Sequence, residues 1–238
     1  MAIYEIARLN IKIDPLYEET RARLEPFLSE SGDCDFEASV TRGEVEEYMK
    51  ETNAGFPPHM CEGPLILTNI CKRVLAEYDG FFFHSSCLEL DGEGYMFTAL
   101  SGTGKSTHTA NWRRVFGDRV KMINDDKPII RKIDGRFYVC STPWMGKSDI
   151  GCNAIAPIKA VYVLTRGGTN TAEHVSPGTV FKQLLEATLL PKSKDSMAKL
   201  LELYNGLFSQ VQLIRLSCNK DVESARVAYA AANTEEAK

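Results

Sequence analysis

The sequence lacks a long apolar run and an excess of basic residues, and both absences narrow the functions that it can have. No hydrophobic stretch approaches the roughly 18 residues that a membrane helix needs. Residues 1–14 contain no basic stretch followed by an apolar core, the pattern of a secretory signal. The formal net charge of −4 supplies no basic field for a phosphate backbone or anionic lipid. We therefore expect a cytoplasmic protein that binds neither nucleic acid nor membrane.

The cysteines lack the spacing of a disulfide framework or a zinc site. Their number, seven, is odd, they are scattered along the chain, and no pair has the C-x-x-C spacing. They are Cys34, Cys61, Cys71, Cys87, Cys140, Cys152 and Cys218. We expect reduced thiols that pack as small buried hydrophobes.

The composition that is present is that of an ordinary globular protein. The chain has 238 residues, of which 44% are hydrophobic and 25% are charged, so it is long and apolar enough to bury a full core. No internal repeat and no linker rich in Pro, Gly or Ser divides it. We predict an N-terminal α+β region over residues 1–78 that packs on a core over residues 79–238, the two forming one compact unit.

Hydrophobic periodicity and turn residues predict an order of strands and helices. Strands are predicted over residues 3–13, 36–41, 119–123, 160–164 and 211–216, and helices after Pro15 and over residues 43–50, 65–78, 179–190 and 197–208. Two Asp-Gly pairs, Asp91-Gly92 and Asp134-Gly135, predict hairpins, because glycine permits positive φ. The hairpin strands are residues 81–90 with 95–100, and residues 128–133 with 137–140. Asn219 is predicted to cap a final helix.

One segment carries a phosphate-binding pattern between a predicted strand and a helical stretch. It reads Ala99-Leu100-Ser101-Gly102-Thr103-Gly104-Lys105-Ser106-Thr107. The two glycines let successive backbone N–H groups turn inward on phosphate oxygens, and the helix that starts near Lys105 adds its positive dipole end. Lys105 supplies a charge for the β and γ phosphates, and the Ser106 hydroxyl can ligate Mg²⁺.

This pattern departs from the full one at a single position, since Ala99 stands where the first glycine would be. The alternative interpretation is an exposed glycine turn with an incidental lysine. The flanking strand and helix favour nucleotide binding. We assign nucleotide binding to Ser101, Gly102, Thr103, Gly104, Lys105, Ser106 and Thr107.

Two adjacent carboxylates follow the next predicted strand, in the segment Asn124-Asp125-Asp126-Lys127. Neighbouring residues on an extended segment point in opposite directions. One carboxylate could therefore hold Mg²⁺ while the other accepts a proton from an attacking hydroxyl. The alternative is an acidic turn before Pro128.

Two further side chains, Lys147 and His84, are candidates for the same chemistry, and Trp144 lies in the same segment as Lys147. Lys147 lies in the segment Thr142-Pro143-Trp144-Met145-Gly146-Lys147, where it could stabilise charge on a transferring phosphoryl group or be a surface lysine. Trp144 is expected to be a core anchor rather than a platform on which a nucleobase stacks. His84 could position phosphate or metal, with a structural histidine as the alternative.

These motifs resemble the core of the HPr kinase family, which is similar to the nucleotide site of ATP-dependent phosphoenolpyruvate carboxykinases. The resemblance covers about residues 80–165 and rests on Phe83-His84-Ser85-Ser86, on Ser101 to Ser106 and on Asn124-Asp125-Asp126. It implies an α/β fold with a mixed β-sheet P-loop core, flanking helices and the small N-terminal α+β region. It further implies ATP and Mg²⁺ or Mn²⁺.

The same resemblance implies a role for each candidate residue. Asp125 would be the catalytic base, and Asp126 together with Ser106 would hold the metal. Lys105 would contact phosphate, and His84 would lie near the phosphates. The family's Leu-Glu-Val-Arg-Gly-like stretch for binding its partner protein is absent after residue 140, and the carboxylate-binding arginines of carboxykinases have no counterpart here.

The sequence therefore predicts an ATP-dependent kinase that transfers the γ-phosphoryl group to a serine-type hydroxyl of a small molecule, peptide or small protein. The alternative is a regulatory module that binds a nucleotide without turning it over. A third interpretation is an acidic structural subunit with a fortuitous loop. The sequence leaves open which acceptor is used and whether the donor is ATP or GTP. It also leaves the oligomeric state open, and a homo-oligomer is one possibility.

Overall fold

The computed structural model describes residues 1–52, 55–100 and 102–234, and across these residues the chain forms twelve strands and seven α-helices. The strands are β1 (Ala2–Ile6), β2 (Leu9–Ile13), β3 (Phe36–Glu37), β4 (Gly80–Phe82), β5 (Ser86–Leu90), β6 (Glu93–Thr98), β7 (Val120–Asn124), β8 (Ile129–Ile133), β9 (Arg136–Cys140), β10 (Ile155–Arg166), β11 (Thr171–His174) and β12 (Gln212–Cys218). The helices are α1 (Glu18–Leu24), α2 (Arg42–Thr52), α3 (Pro58–Glu77), α4 (Lys105–Phe116), α5 (Pro177–Glu186), α6 (Lys194–Phe208) and α7 (Glu223–Asn233).

The N-terminal strand prediction was wrong in one respect. Residues 3–13 form a hairpin of β1 and β2 and not one strand, because the chain turns at Ala7 and Arg8, whose φ values are 54° and 60°. A two-residue turn with both φ values positive is usually marked by Asn or Gly, so nothing in the sequence announced it. The strand predicted over residues 36–41 is also shorter, because only Phe36–Glu37 pairs with β2.

The helix predicted over residues 65–78 begins earlier, at Pro58, and includes Pro64. Its buried face packs in a hydrophobic cluster with the N-terminal hairpin and with Ile129 of β8 and Cys140 of β9. The buried Arg131 of β8 also donates to the carbonyl oxygen of Ala7 at 2.8 Å. Apolar packing and hydrogen bonding therefore both connect residues 1–78 to the core strands. The division into two regions remains a prediction.

The core sheet is mixed and has, within the described residues, nine strands in the order β4-β8-β9-β10-β6-β5-β7, with β12 on β10 and β11 on β12. Strands β6, β10 and β12 are parallel, and β5 runs antiparallel to both β6 and β7. Both predicted Asp-Gly hairpins are confirmed. The strand predicted over residues 81–90 is broken, because β4 pairs with β8 whereas β5 pairs with β6.

Helices cover both faces of this sheet because apolar side chains alternate along its central strands. Tyr95 and Phe97 of β6 face α4 and α7, whereas Met96 between them faces α5 and α6. Strand β10 repeats the pattern, with Tyr162 on the first face and Val161 on the second. An α/β fold with a mixed sheet and flanking helices is therefore present.

The last helix begins later than the sequence predicted. Asn219 does not cap it, because α7 starts at Glu223, and the Asn219 side-chain oxygen instead accepts the backbone N–H of Asp221. All seven cysteines are free thiols, and four of them are buried. No helix within the described ranges combines the length and apolar character needed to cross a membrane.

Candidate active site

The glycine-rich loop and the acidic segment meet at one edge of the core sheet. Strand β6 ends at Thr98, and β7 ends at Asn124. Strand β5 lies between them in the opposite direction, with Ser86 opposite Phe97 and Cys87 opposite Asn124. The carboxyl ends of β6 and β7 therefore flank the amino end of β5, at the edge where open α/β sheets bind ligands.

The predicted order of strand, glycine loop and helix is present. Gly102 and Gly104 have φ values of 78° and 117°, which side chains with a Cβ rarely adopt. Helix α4 begins at Lys105, and the exposed Ser106 and Thr107 form its first turn. Ser101 lies outside the described residues. The arrangement directs the N-terminus of a helix, with its unpaired N–H groups, toward the space beside the loop.

An arginine that the sequence analysis missed supports this loop. The guanidinium of Arg166, the last residue of β10, donates to the carbonyl oxygens of Gly102 and Thr103. These bonds hold the loop against the end of a neighbouring strand. No sequence motif marks Arg166, since it comes close only because β6 and β10 are paired.

Asp125 is buried, with 7% of its surface exposed, and both of its carboxylate oxygens accept hydroxyl groups. Ser86 Oγ donates to Oδ1 at 2.5 Å, and Ser148 Oγ donates to Oδ2. Ser86 also lies 3.1 Å from the hydroxyl of Thr109 on α4. Asp125 is therefore held on one side by Ser86 of β5, which lies beside the glycine-loop helix, and on the other by Ser148 of the loop formed by residues 142–151.

Asp126 faces nitrogen donors instead. Nε2 of His84 lies 2.9 Å from Oδ1, and Nζ of Lys127 lies 2.5 Å from Oδ2. Burial alone would raise the pKa of Asp126, but the hydrogen bonds and charges of these two neighbours outweigh it and lower the pKa to about 2. The carboxylate is therefore ionised at neutral pH. No sequence pattern marks Lys127 as a partner of Asp126, and only the folded chain brings their charged groups together.

Two backbone features hold Asp126 in this position. The side-chain oxygen of Asn124 accepts the backbone N–H groups of Asp126 and Lys127 at 2.9 and 2.8 Å. Gly146 approaches from the opposite loop with φ 73°, and a Cβ there would lie 2.7 Å from Asp126 Cβ. The close approach therefore requires glycine at residue 146.

Lys105 is half-buried at the start of α4, and its environment has two opposing effects. Burial lowers the pKa of its ammonium group, while the charges of Asp126 and Asp125 raise it, and the net shift is downward. The predicted phosphate lysine is therefore close enough to both carboxylates for their charges to act on it.

A cavity of about 940 Å³ lies between these groups. Its lining contains nearly all the predicted site residues that the structure describes, namely His84, Gly102, Gly104, Lys105, Ser106, Thr107, Asp125, Asp126 and Lys147, together with Lys127, Gly146 and Ser148. The N-terminal region contributes Glu19, Thr20, Arg23, His59, Met60, Gly63 and Pro64. Thr103 instead lines a second cavity of about 570 Å³ behind the loop.

Lys147 and Trp144 both line this cavity but differ in exposure. Lys147 is exposed and lines it. Trp144 is 6% exposed and packs in the hydrophobic cluster of the N-terminal region, as expected of a core anchor, and it also lines the cavity. A Cβ added at Gly63 would lie 2.3 Å from Trp144 Nε1, which explains why glycine stands at that position of α3.

The cavity offers two oxygen ligands for a hard divalent cation, one from Asp126 and one from Ser106. Among the described residues, no three His, Cys, Asp or Glu side chains cluster as a metal site. Mg²⁺ at a phosphate site usually takes one or two carboxylates together with substrate oxygens and waters. The ionised Asp126 and the exposed Ser106 hydroxyl are oxygen donors of this kind on one cavity. A cation at Asp126 would replace a contact to His84 or Lys127.

Comparison with known proteins yields distant likenesses to solved structures and none to a family model or a curated protein. No protein-family model matches the chain, and no curated protein matches it. Among solved structures, the chain is similar to the Hpr(Ser) kinase/phosphatase from Coxiella burnetii, with 12% identity, a TM-score of 0.29, and coverage of 52% of this chain and 86% of that chain. The P-loop core and the relation to the HPr kinase family remain predictions.

Proposed function

We propose that the protein is an ATP-dependent kinase that transfers the γ-phosphoryl group to a serine-type hydroxyl of a small molecule, peptide or small protein. One observation carries the proposal. A glycine loop at a helix N-terminus, the half-buried Lys105 and two differently paired carboxylates, Asp125 and Asp126, line a single cavity. Phosphoryl transfer requires positioning, positive charge on the phosphates and a carboxylate base, and this combination can supply each of them.

The loop and Lys105 would bind the phosphates. Backbone N–H groups near Gly102 and Gly104 and the N-terminus of α4 would receive the phosphate oxygens, with Arg166 keeping the loop in shape. Lys105 would neutralise charge on the β and γ phosphates, and Lys147 would do so on the transferring group. Mg²⁺ or Mn²⁺, held by Ser106 and Asp126, would supply further charge neutralisation on the phosphate oxygens.

The two carboxylates would have different roles, one as the base and one as the metal ligand, because their hydrogen-bond partners differ. Asp125 accepts hydrogen bonds from two hydroxyl groups, which is the contact that a base makes with an attacking alcohol. Asp126 is kept ionised by a lysine and a histidine, so its carboxylate can act as an anionic metal ligand once one of these contacts is replaced. These contacts support Asp125 as the base and Asp126 as the metal carboxylate.

A second candidate function is a nucleotide-binding regulatory module without turnover. Lys127 and His84 engage both oxygens of Asp126, and Ser148 engages one oxygen of Asp125. A module that only binds would retain these contacts when the nucleotide is present. Turnover of ATP distinguishes the two functions.

The first experiment measures the melting temperature with and without Mg-ATP for the wild type, Lys105→Ala and the control Lys182→Ala. Lys182 is 88% exposed on α5. A ligand at 100 times its Kd stabilises the folded state by about 2.7 kcal/mol. We expect the shift in the wild type and the control and its loss in Lys105→Ala. Equal shifts in all three proteins would exclude the loop as the nucleotide site.

The second experiment identifies the acceptor. The protein is incubated with γ-labelled ATP and Mg²⁺ in the presence of free serine, small metabolites, HPr or candidate peptides, and label transfer is measured. Transfer to one class of acceptor supports the kinase. Nucleotide binding without transfer or hydrolysis supports the regulatory module.

A further inference from the structure

One serine of the chain has its hydroxyl where an acceptor hydroxyl would be expected. Ser148 is exposed, lines the cavity of Lys105 and Asp126, and donates its hydroxyl hydrogen to Asp125 Oδ2. From this geometry we propose that the chain phosphorylates its own Ser148. The proposal rests on the kinase function proposed above.

The position of Ser148 is set by the strand that also carries the base. Asn124, at the end of β7, donates from its side-chain amide to the carbonyl oxygen of Thr142 at 2.9 Å. It also forms a β-bridge with Gly151, so both ends of the residue 142–151 loop are attached to one residue. Contacts within one chain therefore place Ser148 beside Asp125. Because no second chain is needed to form this pair, the phosphoryl group would be transferred within one chain.

The other serine bonded to Asp125 provides an internal comparison. Ser86 donates to Oδ1, but it is fully buried at the start of β5 and lies beside Thr109. A phosphoryl group has no access there. Ser148 is the exposed one of the two, which makes it the serine that γ-phosphate in the cavity could reach.

The reaction balances without a further reagent. Ser148 Oγ forms a bond to the γ-phosphorus of ATP while the bond from that phosphorus to the bridging oxygen breaks, and ADP leaves with the electron pair. The hydroxyl proton passes to Asp125 Oδ2 along the hydrogen bond already present. The phosphate attached to Ser148 carries about −1.5 to −2 charges at pH 7. It would repel Asp125, so the modified loop should move away from the carboxylate.

The experiment uses the full chain with Mg²⁺ and γ-labelled ATP and no added acceptor. Mass spectrometry of a digest should find one phosphate, on the peptide that contains Ser148. Ser148→Ala and Lys105→Ala should lose the label, and Ser148→Thr should recover part of it. Ser209→Ala, which removes an exposed serine at the end of α6, should label as the wild type does. Phosphate on a different residue would overturn the proposal.

Two further measurements separate this proposal from the kinase proposal. If Mg-ATP stabilises the chain through Lys105 and label passes to an added acceptor while Ser148 stays unmodified, self-phosphorylation is excluded and the kinase stands. If Mg-ATP produces no shift, both proposals fail. A mixture of Lys105→Ala and Ser148→Ala chains should remain unlabelled, and labelling would contradict transfer within one chain.

Discussion

Helix α4 contributes to two regions that differ in whether a buried ionisable side chain is charged or neutral. Its first turn, which includes Lys105, belongs to the cavity, where the nitrogen donors His84 and Lys127 keep the Asp126 carboxylate ionised. Its next turns carry His108 and Trp112 into the face shared with α7, where Trp112 packs in the hydrophobic cluster and His108 lies beside Ser224. There burial lowers the pKa of His108 to about 4, so the ring stays neutral. A buried group thus keeps its charge only where partners for that charge are built around it.

In the second region, the face shared by α4 and α7, aromatic rings surround His108 and Trp112. His108 Nε2 accepts the indole N–H of Trp112 at 2.9 Å, which leaves the ring proton on Nδ1 in the neutral form. Rings of Tyr95 and Phe97 lie with centroids 4.9 and 5.5 Å from that of Trp112. The candidate site at Lys105 and the aromatic face that begins at His108 are therefore separated by about one turn of α4. Changes in the two regions should affect different measurements.

The largest effect is expected from Trp112→Ala, which removes a fully buried side chain from the aromatic face. Such truncations cost about 3–5 kcal/mol because lost burial and the remaining cavity add together. Denaturant unfolding measures the loss. The exposed Leu201→Ala on α6 serves as a control and should change stability by less than about 1 kcal/mol. Similar losses in the two variants would contradict the packing assigned to Trp112.

His108→Gln should change the pH dependence of stability. The pKa of His108 falls from 6.5 to about 4 on folding, so the unfolded chain binds a proton that the folded chain excludes. Its contribution is complete above pH 6.5 and is lost as the pH falls toward 4, by about 3 kcal/mol. Unfolding at a series of pH values should show a shallower decline in the glutamine variant. Parallel curves would mean that His108 is not the buried neutral group.

Asp125→Asn and Asp126→Asn test the division of the cavity's carboxylates. Replacing a general base should lower turnover by about 100-fold or more, while Mg-ATP binding is retained. Asp126→Asn should instead weaken binding of Mg-ATP more than binding of ATP without metal. Titrations and steady-state kinetics of both variants check this. Equal loss of Mg-ATP affinity in both would show that the two residues cannot be assigned separate roles.

The smallest effect is expected from Arg166→Ala, which leaves the glycine loop in place but removes its support from β10. We expect Mg-ATP affinity to fall by about tenfold, equivalent to about 1.4 kcal/mol. Arg215→Ala is the matched control, because Arg215 is on β12 and pairs with Glu173 away from the loop. Calorimetric titration measures both. An unchanged affinity in Arg166→Ala would show that the loop holds its shape without the arginine.

Turn chemistry explains which parts of the fold could be predicted from the sequence. The Asp-Gly hairpins were confirmed because glycine adopts positive φ at little cost, as Gly92 and Gly135 do at φ 83°. The turn at Ala7 and Arg8 was missed because neither residue type signals that conformation. The break between β4 and β5 was missed because both pieces are apolar, and only their pairing with different neighbours separates them.

The sequence by itself determined the local elements of the candidate site, namely the glycine loop before α4 and the adjacent carboxylates after β7, because backbone freedom and strand periodicity are local properties. Only the tertiary structure decided their partners. Arg166 reaches the loop, and Ser148 reaches Asp125, across sequence separations of 64 and 23 residues. Such contacts depend on which strands pair and which loops return to the same edge, and sheet pairing joins segments that no local pattern relates.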